Sequence, residues 1–172
     1  MKKILSVLVA AAVALTLCSC GKSGETPNTA NPAIKENNQI VGWNIENNTL
    51  VLNGSVRMFD YNTYEVENES IPWFSEKDKF SAVKVSDGVT YIGTFSFYKF
   101  ENIETAEISG TVDSIGSSAF AFCENLKKVT LGEGVREIGM GAFGSCSSLE
   151  EINIPSTVTK IDKGAFYGCS SL

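Results

Sequence analysis

Cysteine is the residue type with the most chemistry to offer in this chain. Cys123, Cys146 and Cys169 recur every 23 residues. Three thiols at one spacing suggest zinc, but no C-x-x-C pair accompanies them and a fourth ligand is missing. Phe100 occupies the same place one period earlier, so the position asks for an apolar filler, and a buried free thiol behaves as a small hydrophobe. These thiols are therefore expected to be buried and reduced. Asp60, Glu65, Glu67 and Glu69 gather carboxylates that suit Ca²⁺, yet they lack the glycine and the spacing of an EF-hand loop. They read as a solvated loop, with no metal. The chain contains no histidine, which removes His-based triads, His metal ligands and the usual general base near neutral pH. No G-x-S-x-G, Walker loop or G-x-G-x-x-G occurs. The expectation is a protein that is not an enzyme and uses no cofactor.

A different cysteine chemistry is offered near the N-terminus. Lys2 and Lys3 precede an apolar run from Ile4 to Leu17, the layout of a secretory signal and too short for a comfortable membrane span. Leu17-Cys18-Ser19-Cys20 then resembles a bacterial lipobox, with Leu three residues and Ser one residue before the acceptor. Cys20 is the expected lipid-attachment residue, since Cys18 would place bulky Leu17 at the cleavage position. Two or more acyl chains anchor a protein stably, so residues 1–19 are read as a signal peptide and the rest as tethered to a membrane without spanning it. Residues 20–39, poor in apolar side chains and rich in Gly, Ser, Thr, Asn and Pro, form a linker.

The residues that must position any binding site belong to a repeat. Written from Val89 in rows of 23, the chain aligns Ile92, Ile115, Ile138 and Ile161 in one column. Phe97, Phe120, Phe143 and Phe166 form a second column, and Ile103, Leu126, Leu149 and Leu172 a third. A fixed period of this length marks a solenoid, whose units bury their apolar edges against one another. In each row, L-x-x-V-x-L (Leu126, Val129, Leu131) ends in the period of a half-buried strand, and V-x-x-I (Val112, Ile115) is a second short extended piece. A-F-x-x-C (Ala119, Phe120, Cys123) has the spacing of one inward-facing helical turn. Residues one period apart become surface neighbours about 4.8 Å apart. The pairs Lys84/Glu107, Glu104/Lys127, Lys127/Glu150, Lys128/Glu151, Asp113/Arg136 and Glu137/Lys160 are opposite in sign, as that register requires; Glu101/Glu124 is the exception.

These rows resemble the BspA-like, or Treponema pallidum-type, class of bacterial leucine-rich repeats. SLEEINIPSTVTKIDKGAFYGCSSL matches the unit almost position for position, while the first row departs with Ser96 for Ala, Phe100 for Cys and Ser109 for Pro. GWNIENNTLVLNG and the segment up to VKVSDGVTYIG resemble the cap that opens such arrays, so the likeness covers roughly residues 42–172. It implies a leucine-rich-repeat solenoid: a β-rich parallel strand ladder with short helical turns and an N-terminal β-hairpin cap. It also implies attachment at a bacterial cell surface and adhesion to proteins or to other cells.

Residues 40–88 form the cap. Trp43, Ile45, Leu50 and Leu52 alternate with polar residues around Asn47-Asn48, and asparagine tolerates the positive φ of a tight hairpin. Phe80, Val83 and Val85 lie one period before Ile103, Ala106 and Ile108, so the cap already holds the first strand rung. Its aromatics, Trp43, Tyr61, Tyr64 and Trp73, are either a ligand-stacking platform or the seal over the end of the solenoid. Residues 89–172 hold three full repeats and one cut short.

The candidate binding face is the outward side of the strands. It carries two columns, Ala82-Thr105-Lys128-Glu151 and Lys84-Glu107-Thr130-Asn153, of which Thr105, Glu107, Lys128, Thr130, Glu151 and Asn153 are the expected contact residues. The expected partner is a protein or cell-surface polymer. The net charge of −6 becomes −8 without residues 1–19, which remove Lys2 and Lys3 and no acid; an acidic chain with no basic cluster is not a nucleic-acid binder. Leu172 is the first apolar residue of a further strand. The chain is thus expected to be part of a longer array, or its open edge to be a place for self-association.

Overall fold

The computed structural model describes residues 41–61 and 71–172. In chain order the strands are β1 (Gly42–Glu46), β2 (Thr49–Asn53), β3 (Ala82–Val85), β4 (Tyr91–Ile92), β5 (Thr105–Ile108), β6 (Ser114–Ile115), β7 (Lys128–Leu131), β8 (Glu137–Ile138), β9 (Glu151–Asn153) and β10 (Lys160–Ile161). They form two ladders. One sheet runs β1-β2-β3-β5-β7-β9, and the other runs β4-β6-β8-β10. Apart from the antiparallel β1–β2 hairpin, all pairings are parallel. The register is the one the period requires: Ala106 faces Val129, Val129 faces Ile152, and Ile92 faces Ile115.

The hairpin forms where expected, because Asn47 and Asn48 take φ of 47° and 63°, the left-handed pair that matches strand twist. The cap also does more than the sequence pattern reveals. β2 pairs in parallel with β3, placing Leu50 and Leu52 on the columns of Val83 and Val85. Residues 54–61 run beside β4, with Val56 N–H donating to Gly88, Met58 N–H to Tyr91 and Tyr61 N–H to Thr94. Gly93 permits this approach, since a Cβ there would lie 1.6 Å from the carbonyl oxygen of Phe59. The cap is therefore a distorted rung that supplies a strand to each ladder.

The core is a set of stacked columns. Phe97, Phe120, Phe143 and Phe166 stack nearly parallel at 4.7, 5.4 and 5.6 Å between ring centres. Trp73 begins this stack 5.5 Å from Phe97 and donates its indole N–H to the carbonyl of Ser96. Val89, Val112, Val135, Ile103, Leu126 and Leu149 are fully buried around it.

The A-F-x-x-C segments point Phe and Cys inward as expected, but they are runs of turns and not regular helix. Two positions four residues apart in each row have positive φ: Phe95 and Lys99, Ser118 and Phe122, Gly141 and Ser145, Gly164 and Gly168. Alternate N–H groups then close local i→i−3 bonds, while those between them reach the next rung. Ser118, Phe120 and Phe122 donate to Met140, Ala142 and Gly144, and Gly141, Phe143 and Ser145 donate to Lys163, Ala165 and Tyr167. A regular helix would keep these bonds to itself, so the left-handed residues convert the corner into a third ladder. Each such residue other than glycine costs about 1–2 kcal/mol. Ile154 is a second departure: it continues the buried Ile108–Leu131 column in the sequence, yet it is exposed.

Because the Phe column is the continuous element of the core, Phe120→Ala is expected to lower unfolding free energy by about 3–5 kcal/mol. Urea denaturation followed by tryptophan fluorescence checks this. A loss below 1 kcal/mol would show that the column is not what holds the rungs.

Candidate functional site

The outward face of the large sheet is built by strand alternation. Along β5 and β7 the burial pattern is exposed, buried, exposed, buried, so Thr105, Glu107, Lys128 and Thr130 face solvent. Parallel pairing sets Thr105 beside Lys128 and Lys128 beside Glu151, and Glu107 beside Thr130 and Thr130 beside Asn153. All six sequence-predicted contact residues thus lie on one face. The same rows continue into the cap through Thr49 and Val51 on β2, then Glu46 and Asn44 on β1.

Much of this face is satisfied internally. Lys128 Nζ lies 2.8 Å from Glu151 Oε1, and Lys84 Nζ lies 3.6 Å from Glu107 Oε1. Asn153 departs from the expected role of a free contact residue. Its Nδ2 donates to the Leu131 carbonyl at 2.9 Å, and its Oδ1 accepts from the Leu131 N–H at 2.8 Å. The side chain thus stands in for the next strand residue, which explains why β9 ends there and Ile154 escapes the core. Elsewhere, Glu104/Lys127, Asp113/Arg136 and Glu137/Lys160 approach within 2.9, 3.3 and 3.6 Å. Lys127 reaches Glu104 and forms no ion pair with Glu150.

The alternative aromatic residues do not form one platform. Trp73 is fully buried in the ring stack, and Tyr61 is buried edge-on against it at 6.2 Å. Neither offers a face to a ligand. Trp43 is half-buried on β1, beside Leu52. Tyr64, together with Glu65, Glu67, Glu69 and Cys20, lies outside the described residues.

Cys123, Cys146 and Cys169 are free thiols. Each donates to a carbonyl of the preceding rung, at Phe97, Phe120 and Phe143, over 3.1 Å. Burial pushes the Cys123 thiol well above its usual range, so it is a weak nucleophile and a poor metal ligand. Among the described residues, no group of three or more Cys, Asp or Glu side chains is placed to hold a metal ion. Asp60 is committed to the fold: Tyr91 Oη donates to it at 2.6 Å and the Thr94 N–H at 2.8 Å. Arg57 stacks 3.6 Å above the Tyr91 ring and sits 3.7 Å from the Asp60 carboxylate.

Sequence reasoning missed a different surface, on the outside of the turn segments. Phe122, Met140 and Tyr167 are exposed there, at 39%, 57% and 79%. The available signal was large apolar or aromatic residues in columns where other rows carry Gly, Ala, Ser, Thr or Lys, with Tyr98 the other aromatic among them, but these columns lie off the apolar period.

With this geometry in hand, the likeness to known proteins is specific. The profile of the BspA type leucine rich repeat region, in 6 copies, matches residues 55–172. A leucine-rich repeat protein from Eubacterium ventriosum is 29% identical with a TM-score of 0.56, over 77% of this chain and 40% of that one. The T. pallidum leucine-rich repeat protein is 19% identical with a TM-score of 0.58, over 77% of this chain and 66% of that one, a likeness of fold. This chain therefore spans less than two thirds of the length of either. No curated protein matches it.

The Asp60 cluster carries a pH prediction. Burial would raise this carboxyl, but the Tyr91 hydroxyl, the Thr94 N–H and hydroxyl and the Arg57 guanidinium outweigh it and hold it below its usual range. A depressed folded pKa gives stability that is present above the unfolded carboxyl pKa of about 3.9 and is lost as pH falls through the folded value. Asp60→Asn is thus expected to lower the urea midpoint at pH 6, with the gap to wild type narrowing as pH falls below the ordinary carboxyl range. A gap that stays constant with pH would refute the linkage.

Proposed function

The chain belongs to the BspA-type leucine-rich repeat family, and from that premise we propose a bacterial surface protein that binds a protein or cell-surface polymer non-covalently. The observation that carries this reading is the exposed face of six hydrogen-bonded strands, on which Thr105, Glu107, Lys128, Thr130 and Glu151 keep fixed spacing. A rigid sheet presents such side chains with little ordering cost on binding. The repeat family supports an interaction or surface role, and no chemistry of the described residues requires a substrate. A hydrogen-bonded face of paired opposite charges suits a polar partner that offers both signs, which is the ordinary character of a protein surface.

Lipid attachment at Cys20 is the second part of the proposal. It rests on Leu17, Ser19 and Cys20 after the apolar run. Among the described residues no helix is long and apolar enough to cross a membrane. With residues 20–39 as a linker, the solenoid is held away from the bilayer, where its faces are open to partners.

One observation favours a scaffolding role without an external ligand: Lys84, Glu107, Lys128 and Glu151 already neutralise one another, and Asn153 is tied to backbone. The two readings separate in one experiment. Exchanging the charges as Lys128→Glu with Glu151→Lys keeps the pair and inverts what a partner meets. Stability is expected to change by less than about 1 kcal/mol, while capture of matrix proteins or surface polymers by the purified protein falls at least tenfold. Unchanged capture would take binding off this face, and no capture by wild type would favour scaffolding. For the anchor, radiolabelled palmitate is expected to enter the wild-type chain in a bacterial host and not Cys20→Ala. Equal labelling of both would refute the assignment.

A further inference from the structure

The turn segments carry a groove that the repeat does not need. Its floor is Ala121, Gly141 and Gly144, and its walls are Phe122, Met140 and Tyr167. All three wall residues are exposed while the Phe column beneath them is filled by other side chains. Exposed apolar surface rimmed by polar residues marks an interaction site, and tyrosine and methionine are side chains that interfaces favour.

Phe122 supplies the sharper argument. It sits at φ of +61°, in the column where other rungs place Lys99, Ser145 and Gly168 at 60°, 59° and 79°. Gly168 satisfies that backbone with no side chain at all, so folding does not call for phenylalanine here. Its ring meets Tyr98 edge-on at 5.5 Å and otherwise turns outward, away from the stacked phenylalanine column, whereas Phe95 in the same left-handed conformation is buried in the core.

Charge identifies the occupant. Lys79, Lys84, Lys127, Lys128 and Lys160 each have a carboxylate within ion-pair distance. The two lysines at the ends of this groove have none. Lys163 lines one end, and beyond the Phe122 wall at the other Lys99 holds its ammonium 5.9 Å from the Phe122 ring and 5.5 Å from the Tyr98 ring. Their backbones lie three rungs apart, roughly 14 Å along the ladder, and the Lys99 ammonium turns toward Phe122 on the next rung. An extended peptide rises about 3.3 Å per residue, so carboxylates three to four residues apart span the two charges.

We propose that this groove binds an extended acidic peptide segment of a partner protein. Its central apolar side chains lie between Phe122, Met140 and Tyr167, and its carboxylates, about four residues apart, meet Lys99 and Lys163. The surface is separate from the strand face and shares no residue with it.

Fluorescence anisotropy with three labelled peptides tests this on the full-length chain in detergent. They are Gly-Ser-Asp-Phe-Ala-Leu-Asp-Ser-Gly, its twin with lysine for aspartate, and its twin with serine for phenylalanine and leucine. The acidic apolar peptide is expected to bind at least tenfold more tightly than either twin. Phe122→Gly and Tyr167→Ala are each expected to weaken it tenfold or more, with Phe122→Gly keeping the wild-type urea midpoint or exceeding it. Lys163→Glu, a surface change, is expected to shift preference toward the lysine twin, and the Lys128→Glu/Glu151→Lys exchange to change nothing. No binding of the acidic peptide at 1 mM (about 4 kcal/mol of affinity), or binding that the strand-face exchange removes, overturns the proposal. So does competition by cellohexaose at the groove without discrimination among the peptides, which would make it a sugar site. Because the strand-face exchange is silent here, failure of this proposal and failure of the strand-face reading remain distinct results.

Discussion

A rung of this solenoid is too short to satisfy its own backbone. Strands of two to five residues make no useful pairing within a single turn of the chain, and each buried N–H or carbonyl left without a partner would cost on the order of 1–3 kcal/mol. The hydrogen bonds must therefore run along the axis, from one rung to the next. Once they do, equivalent residues come to lie directly above one another, and every other regularity follows. Identical phenylalanines stack, thiols meet the carbonyl one rung back, and a charge finds its opposite one period away. Surface pairs such as Lys127–Glu104 add little individually. They document the register more than they create it.

The same constraint explains the corners. A helical turn at A-F-x-x-C would consume its own N–H groups and leave the ladder broken there. The pairs of left-handed residues, four apart, redirect alternate N–H groups to the neighbouring rung. Some rungs meet that demand with glycine, as at Gly164 and Gly168, and others with serine, lysine or phenylalanine. The choice is free as far as the ladder is concerned, and the side chain so presented becomes surface. A position set by backbone geometry thus becomes a place where surface character can vary from rung to rung.

The cap obeys the ladder from the other side. Trp73 takes the place of a phenylalanine at the head of the stack, Leu50 and Leu52 extend the strand columns, and residues 54–61 extend the second ladder. Two of its aromatics are accounted for by burial: Trp73 and Tyr61 fill space that a preceding rung would otherwise fill. Asp60, Tyr91 and Arg57 then fasten this irregular strip to the first regular rung. Among the described residues, two open surfaces stand out, a polar sheet face with internally matched charges and an apolar groove on the turns beside two lysines that have no carboxylate within ion-pair distance.

The repeat, its register and its inward columns were legible in the residues alone, because the period-23 recurrence of apolar residues at Ile92, Phe97 and Ile103 and their equivalents leaves one way to stack. The hairpin at Asn47-Asn48 was legible too, since few residues accept positive φ. The outward strand rows followed from alternation. Tertiary structure alone decided the rest. The capture of Leu131 by the Asn153 amide, with the exposure of Ile154 that follows, depends on a contact between neighbouring rungs that no local pattern encodes. Non-glycine residues such as Phe122 in left-handed corners carry no sequence mark, because the ladder that demands that φ forms only after stacking. The groove is invisible for the same reason: Phe122, Met140 and Tyr167 fall in different columns of the repeat, and only the coiling of the rungs brings them together.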